Sequence, residues 1–322
     1  MNVLITGATG FVGRFLGTRL QRLGHNVYGT LLASESPQLM VDGVKPVVVE
    51  LLGETACYDH ALDNIDTLIH LAARVHIMHE SAQNPLHEFR NTNTIGTANL
   101  ARQAAAKGVK RFVFMSTIGV NGDNSGAKPY RESDIPQPHN PYSISKHEAE
   151  LALRKISAET GMELVIIRAP LVYGPGNSGN FLSLLQIVSK GIPLPFAAVA
   201  NSRSLIYVGN LVDAIATCAV HPAAAGKTYL VNDGEDVSTP DLIRRTAKAL
   251  DVPARLFSIP SSFMRFAGQL TGKTAAVNRL LGSVTLDSTL IGKELDWKPP
   301  FTMEQGLQET GAWFLLINNS KK

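Results

Sequence analysis

Tyr142 and Lys146 stand four residues apart in Pro141-Tyr142-Ser143-Ile144-Ser145-Lys146. On a helix opened by the proline, that spacing turns both side chains to one face. A phenol with a pKa near ~10 is a poor base at neutral pH. A close ammonium favours the phenolate and draws the value down towards working pH, so the phenol could act as a base. The same ammonium can hold a ribose diol. Upstream, the apolar run Arg111–Met115 delivers Ser116 and Thr117 at its carboxyl end, where a Thr117 hydroxyl could donate to an oxygen that gains charge. Taken alone, Tyr-x-x-x-Lys is common in a chain with seven tyrosines and also describes a solvated helix pair.

A second motif gives that pair a context. The strand-like Val3-Leu4-Ile5 runs into Gly7-Ala8-Thr9-Gly10-Phe11-Val12-Gly13 and then an amphipathic segment. Glycines at spacing three between a first strand and a first helix let a pyrophosphate reach the helix's free N–H groups. Gly7 permits the tight turn, Gly10 admits the phosphate to bare backbone, and Gly13 lets helix and strand lie close. With 27 glycines in the chain, it is the placement of this loop that makes it informative.

Alternating elements must position these groups. Strands are expected at Val3–Ile5, Asn26–Tyr28, Pro46–Glu50, Thr67–Leu71, Arg111–Met115 and Leu164–Ile167, with helices near 12–23, 58–63, 87–107 and 142–160. Near-continuous apolar strands in such alternation predict an α/β fold, a doubly wound parallel sheet covered on both faces. Leu205–Val208 and Thr228–Val231 read as late strands that extend the sheet. Proline-punctuated short helices and loops elsewhere suggest a smaller, discontinuous lobe. The expected division is a dinucleotide-binding domain of residues 1–176 with 203–232, and a lobe of residues 177–202 with 233–322.

At 322 residues, 44% apolar and 18% charged, the composition is that of a globular chain. A net charge of +3 is too small to imply nucleic acid or an anionic membrane surface. Cys57 and Cys218 fit no disulfide or metal spacing, which points to a reducing cytoplasm, and no signal or spanning segment is expected. His76, His79 and His87 lack the Cys or carboxylate pattern of a zinc site, so no metal is expected.

The chain resembles the extended short-chain dehydrogenases/reductases, in their nucleotide-sugar epimerase/dehydratase/reductase group. The resemblance runs nearly end to end: the glycine loop, His70-Leu71-Ala72-Ala73, Asn93, Thr117, Tyr142, Lys146, Arg168, Val172-Tyr173-Gly174-Pro175, Arg203–Val208 and Leu295-Asp296-Trp297-Lys298-Pro299. It implies a Rossmann-type fold and an NAD or NADP cofactor held by Gly7, Thr9, Gly10, Phe11, Val12, Gly13, Glu50, Leu51, Leu71, Ala72, Ala73, Asn93, Tyr142 and Lys146. It makes Thr117 the active-site hydroxyl, Tyr142 the proton donor or acceptor and Lys146 the ribose clamp, with Ser116 supporting the backbone nearby. Asn180 and Arg203 fall where relatives bind a UDP-sugar diphosphate, joined with Thr117 and by Arg279 as a further phosphate candidate. A guanidinium suits phosphate independently of any resemblance. The resemblance also implies a homodimer paired through the helices near 87–107 and 142–160.

Departures from the family pattern bear on the reaction. The stretch Tyr28-Gly29-Thr30-Leu31-Leu32-Ala33-Ser34 has Leu31 where NAD-binding relatives carry a ribose-binding acid, so NADP is permissible and the choice between cofactors stays open. Asn121 replaces a common tyrosine and Leu171 a common asparagine. Ile118-Gly119 after Thr117 replaces the Asp-Glu pair of dehydratases. The closer resemblance is to reductases of the C4 ketone of a UDP-4-keto-6-deoxy-N-acetylhexosamine, serving surface polysaccharide synthesis. The alternative is a 4-epimerase of UDP-glucose or UDP-GlcNAc. The absent ribose acid favours a cofactor that exchanges each turnover, as a reductase requires. A non-enzymatic dinucleotide sensor is a third reading, opposed by the intact Thr117, Tyr142 and Lys146.

Overall fold

Side-chain alternation explains why the strands read as unbroken apolar runs. In the first strand Val3 and Ile5 enter one buried layer and Leu4 the other. Val113 opposes Phe112 and Phe114 in the same way, and Val165 and Ile167 oppose Leu164 and Ile166. Both faces are therefore covered, and period-two patterning disappears.

The computed structural model describes residues 1–75, 84–272 and 274–319, and the side chains of residues 267, 275, 276, 279 and 319 fall outside that description. Strands β1 (Asn2–Thr6), β2 (Asn26–Leu32), β3 (Lys45–Val49), β4 (Thr67–His70), β5 (Arg111–Thr117) and β6 (Glu163–Ala169) alternate with helices. The helices of this half are α1 (Phe11–Arg22), α2 (Asp59–Leu62), α3 (Pro85–Phe89), α4 (Thr97–Ala106) and α5 (Pro141–Thr160). Next come β7 (Leu171–Tyr173), α6 (Asn180–Ser189), β8 (Arg203–Tyr207), α7 (Val208–Val220), β9 (Thr228–Leu230), β10 (Asp236–Val237) and α8 (Thr239–Ala249). The chain closes with α9 (Ser261–Leu270), α10 (Thr274–Leu281), α11 (Thr289–Leu295) and α12 (Met303–Asn319).

Seven parallel strands form one sheet in the order β3-β2-β1-β4-β5-β6-β9, a Rossmann-type arrangement. The winding reverses between β1 and β4, and a crevice at the carboxyl ends of those strands is where such sheets bind ligands. On one face α1 packs on α7, tied by Arg19 to Asp213 at 2.6 Å. Buried residues of α4 and α5 fill the layer on the other face.

Two sequence expectations change. The segment Arg203–Tyr207 pairs with β7 and β10 in a separate three-stranded sheet, while Thr228–Leu230 alone extends the main one. Pro170 sits between β6 and β7 and has no N–H to continue the ladder, so the chain leaves the main sheet there. The helix expected over 87–107 is three pieces: α3, a π-helical turn over Arg90–Gly96, and α4. The π-helical turn ends at Gly96, where a side chain would meet the backbone of Gly53 at 2.7 Å and Leu52 at 2.9 Å. Among the described residues no helix is long and apolar enough to cross a membrane.

The β1–α1 junction is the tightest packing near the crevice. A Cβ on Gly13 would lie 2.2 Å from the Gly7 carbonyl oxygen and 2.7 Å from the Ala8 Cα, both backbone atoms that cannot rotate aside. Gly13→Ala is expected to lower unfolding free energy by about 2–4 kcal/mol, measured by urea denaturation. An unchanged midpoint would mean that helix and strand can separate without cost.

Candidate active site

The glycine loop forms a cradle of bare backbone. Gly7 adopts φ +71°, and a Cβ on it would press on Ala72 N at 3.0 Å. Gly10 donates its N–H to the Gly7 carbonyl at 3.1 Å and caps α1 without a side-chain hydrogen bond. No acidic residue lies in the first turn of α1, so its N–H groups and its dipole remain available to an anion. A cleft of about 410 Å³ opens beside this loop, lined by Thr9, Gly10, Leu51, Ala72, Ala73 and Arg74 among others. Glu50 and Leu71 also line it. These features fit a dinucleotide diphosphate.

Glu35, one turn beyond the second strand, is the functional candidate that the sequence reading missed. Its carboxylate accepts from Thr9 Oγ1 at 2.7 Å and from the Leu32 N–H at 2.7 Å, and it lines the same cleft. The cleft therefore contains a carboxylate beside the glycine loop, one residue past the stretch 28–34 that carries no acid. The available signal was an acid a few residues past the expected position. What hid it is the turn after β2, where Glu35 N bonds back to the Leu32 carbonyl at 2.9 Å.

The first turn of α5 carries Tyr142. Asn140 caps the helix, accepting from Ser143 N at 2.9 Å, while Ser143 Oγ accepts from the Asn140 N–H at 3.1 Å. This capping box and Pro141 at the helix start settle the register. One turn on, Lys146 is 2% exposed, its Nζ 3.9 Å from the Phe114 ring centroid. Burial draws its pKa down to about 7, while the Glu150 carboxylate pulls the other way. Burial pushes the Tyr142 phenol up to about 12. The lowering of Tyr142 by its neighbour is thus absent from the protein alone. Dry surroundings penalise both charged forms, and an ammonium half discharged near neutrality exerts little field. Thr117 ends β5 with its Oγ1 accepting from Gly119 N at 3.1 Å. Gly119 in turn sits against Ser143, where a Cβ would approach at 3.2 Å, so the Thr117 turn abuts the start of α5.

Three buried ties hold these pieces in register. Asn93, on the π-helical turn, accepts from Arg74 N at 2.8 Å and donates to Arg74 O and Ser145 Oγ, each at 3.0 Å. Its amide reaches the site through those contacts, linking the cleft wall to α5. Glu150 accepts from Ser116 Oγ at 2.5 Å and binds Arg168 bidentately at 2.5 and 2.9 Å. Arg168 continues to Asn121 at 2.9 Å, and Asn121 donates to the Arg131 carbonyl. This network, unforeseen from sequence, joins α5, β5 and β6 below the Thr117 turn. With Glu150 and Arg168 almost fully buried, loss of either partner strands a charge. His70 bridges Thr6 Oγ1 at 2.7 Å and Thr97 Oγ1 at 2.9 Å. Burial, then Lys146, holds its pKa well below the ordinary value, so the ring is neutral.

The substrate-side residues lie on other elements. Asn180 is the exposed first residue of α6, and Arg203 opens β8 in the smaller sheet. The Arg279 side chain, His76 and His79 lie outside the described residues. Among the described residues no group of three His, Cys, Asp or Glu could hold a metal ion.

Comparison with known proteins places this geometry among relatives. Residues 3–232 match the family described as NAD dependent epimerase/dehydratase. A Vibrio cholerae protein named UDP-glucose 4-epimerase is 41% identical over 320 residues, covering 99% of this chain and 97% of its own. An Escherichia coli O157:H7 N-acetyl-alpha-D-glucosaminyl-diphospho-ditrans,octacis-undecaprenol 4-epimerase is 28% identical over 327 residues, covering 96% of this chain and 94% of its own. The fold is shared with a Thermotoga maritima UDP-glucose 4-epimerase solved with UDP-glucose, at TM-score 0.79 and 24% identity, with 99% of this chain and 100% of that one covered.

The buried ammonium yields a stability test. Lys146 binds a proton less readily folded than unfolded, so between pH 7 and 10.5 the unfolded state holds more protons and stability rises with pH. Lys146→Met removes that dependence. The variant is expected to gain on the parent at pH 6, and the gap to shrink by about 4 kcal/mol by pH 10 in denaturant titrations. A gap independent of pH would show that the ammonium is solvated in the folded protein.

Proposed function

The chain belongs to the NAD dependent epimerase/dehydratase family, and from that premise we propose that it interconverts the C4 epimers of a UDP-hexose, UDP-glucose or UDP-GlcNAc. The observation that carries the reading is likeness at 41% identity across 99% of the chain to a protein named UDP-glucose 4-epimerase. Glu35 supports the same reading: the preference for a reductase rests on a closer resemblance and, in part, on a missing ribose carboxylate, and Glu35 puts a carboxylate in the cleft. A carboxylate beside the ribose site repels a 2′-phosphate and suits NAD that stays bound through the cycle.

In this reading Gly7, Gly10 and Gly13 admit the NAD diphosphate, the α1 N-terminus binds it, and Glu35 accepts from the adenosine ribose. A hydride acceptor and donor for sugar C4 is the chemistry that NAD supplies when bound. Tyr142 takes the proton from the C4 hydroxyl and later returns it to the C4 oxygen of the turned 4-keto sugar. Lys146 holds the second ribose, and Thr117 donates to the same oxygen as charge develops. Asn180, Arg203 and Arg279 bind the UDP diphosphate. Oxidation and reduction cancel, so no cofactor is consumed.

Incubation with UDP-glucose or UDP-GlcNAc should give a mixture of C4 epimers by NMR without net change in nicotinamide absorbance. Stoichiometric cofactor oxidation with a UDP-4-keto-6-deoxy sugar, and no epimerisation, would establish the reductase instead. Tyr142→Phe is expected to lower turnover by at least about 10²-fold with NAD affinity nearly intact. Full activity in that variant removes the proposed acid/base. Glu35→Gln should weaken NAD about tenfold and narrow its advantage over NADP in fluorescence titrations. Equal affinities for NAD before and after the change would take Glu35 out of the ribose site.

A further inference from the structure

The proposed chemistry gives no part to Glu150, whose buried carboxylate lies on the same face of α5 as Lys146. Four residues separate the two, so both side chains leave the helix towards the sheet. Lys146 is 2% exposed and Glu150 1%. Beneath them runs β5. The ammonium rests over the Phe114 ring, and the carboxylate accepts from Ser116 Oγ at 2.5 Å, two residues further along the same face of that strand. Two residues span only about 7 Å of strand, so a positive and a negative group share one dry layer without closing into an ion pair.

Donors from two strands keep that carboxylate ionised and fixed. Ser116 of β5 supplies one, and Arg168 of β6 supplies two, at 2.9 and 2.5 Å. The strand order β4-β5-β6 decides which charge the ammonium meets first. Lys146 lies over β5 and acts on His70 of β4, whereas Arg168 comes from the strand on the other side. The carboxylate therefore stands between the ammonium and the guanidinium. Other groups around Lys146 bring no negative charge. Tyr142 is a half-buried phenol, His70 is neutral, β5 adds Phe114, Ser116 and Thr117, and the π-helical turn adds Asn93 and Thr94. Arg90 of that turn is tied outward to Glu148 at 2.6 Å, His87 and Glu88 of α3 pair with each other, and Arg102 of α4 is exposed. Among the described residues Glu150 alone opposes the loss of charge that burial imposes on Lys146.

We propose that Glu150 is a positioning residue for the cofactor: held by Ser116 and Arg168, its carboxylate is the counter-charge that keeps Lys146 an ammonium able to hold the nicotinamide ribose. This rests on the reading of Lys146 as the partner of that ribose. Glu150 acts through Lys146 and touches neither NAD nor sugar. A brace between α5 and the sheet would serve equally well with an uncharged group of the same shape, whereas a counter-charge would not.

Titration of the Lys146 ε-carbon by isotope-edited NMR in the full chain, assigned by its loss in Lys146→Met, reads the ammonium without any ligand. Glu150→Gln, which keeps the shape, should lower the midpoint from about 7 by about one pH unit, while Glu150→Asp should leave it nearly in place. NAD affinity near about pH 8 should then fall by up to about tenfold in the Gln variant and recover in the Asp variant, in fluorescence titrations. A brace predicts the reverse order, a mild effect for Gln and a larger one for the shorter Asp, with the Lys146 midpoint unmoved. That result overturns the proposal. Should Glu150→Gln fail to fold, the double variant Glu150→Gln with Arg168→Met strands no charge and should show the same downward shift, its absence being equally decisive. A lowered midpoint with unchanged NAD affinity also overturns the proposal, at the ribose. Neither readout involves a sugar, so absence of epimerisation counts against the UDP-hexose reading alone.

Discussion

A buried ammonium is the constraint around which the site is organised. Lys146 gives up its hydration to lie over the Phe114 ring, and no carboxylate stands within ion-pair distance of it among the described residues. An uncompensated charge in such a place is costly, and its pKa falls accordingly. The fold tolerates that cost because α5 is held from several directions. Its start is set by a capping box, its flank by Asn93 and Thr94, and its middle by Glu150.

The same dryness governs Tyr142. A phenol pushed up to about 12 is a weak acid and a strong base once deprotonated, so the protein alone favours the protonated form. Proximity of a lysine in sequence does not by itself settle which of the two groups, half-buried Tyr142 or buried Lys146, carries charge. Burial acts on both, in opposite directions.

Around that pair the buried polar contacts tie together elements that the chain order separates. Glu150 and Arg168 connect α5 to β6, Ser116 brings in β5, and Asn121 anchors the turn after Thr117. His70 couples β4 to β1 and α4 at the reversal of the sheet. Each is a fully satisfied contact in a low-dielectric layer, where hydrogen bonds strengthen and an unpaired partner is expensive. The glycine cradle, the Thr117 turn and the Tyr142 helix are thereby built on one rigid sheet.

Sequence alone determined the parallel sheet, the glycine loop and the Tyr142-Lys146 helix. These depend on local spacing: apolar runs, glycines three apart, and a phenol and amine one helical turn apart. Family membership was legible for the same reason. Tertiary structure decided what local spacing cannot express. Glu35 reaches the cleft only because the turn after β2 folds it back onto Thr9. Arg203–Tyr207 leaves the main sheet because Pro170 ends a ladder and β7 offers another edge. Gly96 comes against the backbone of residues 52–53, and burial near Phe114 lowers the pKa of Lys146, both contacts between parts of the chain far apart in sequence. Hydrogen-bond partners and dielectric surroundings are properties of the assembled layers, which no window of sequence contains.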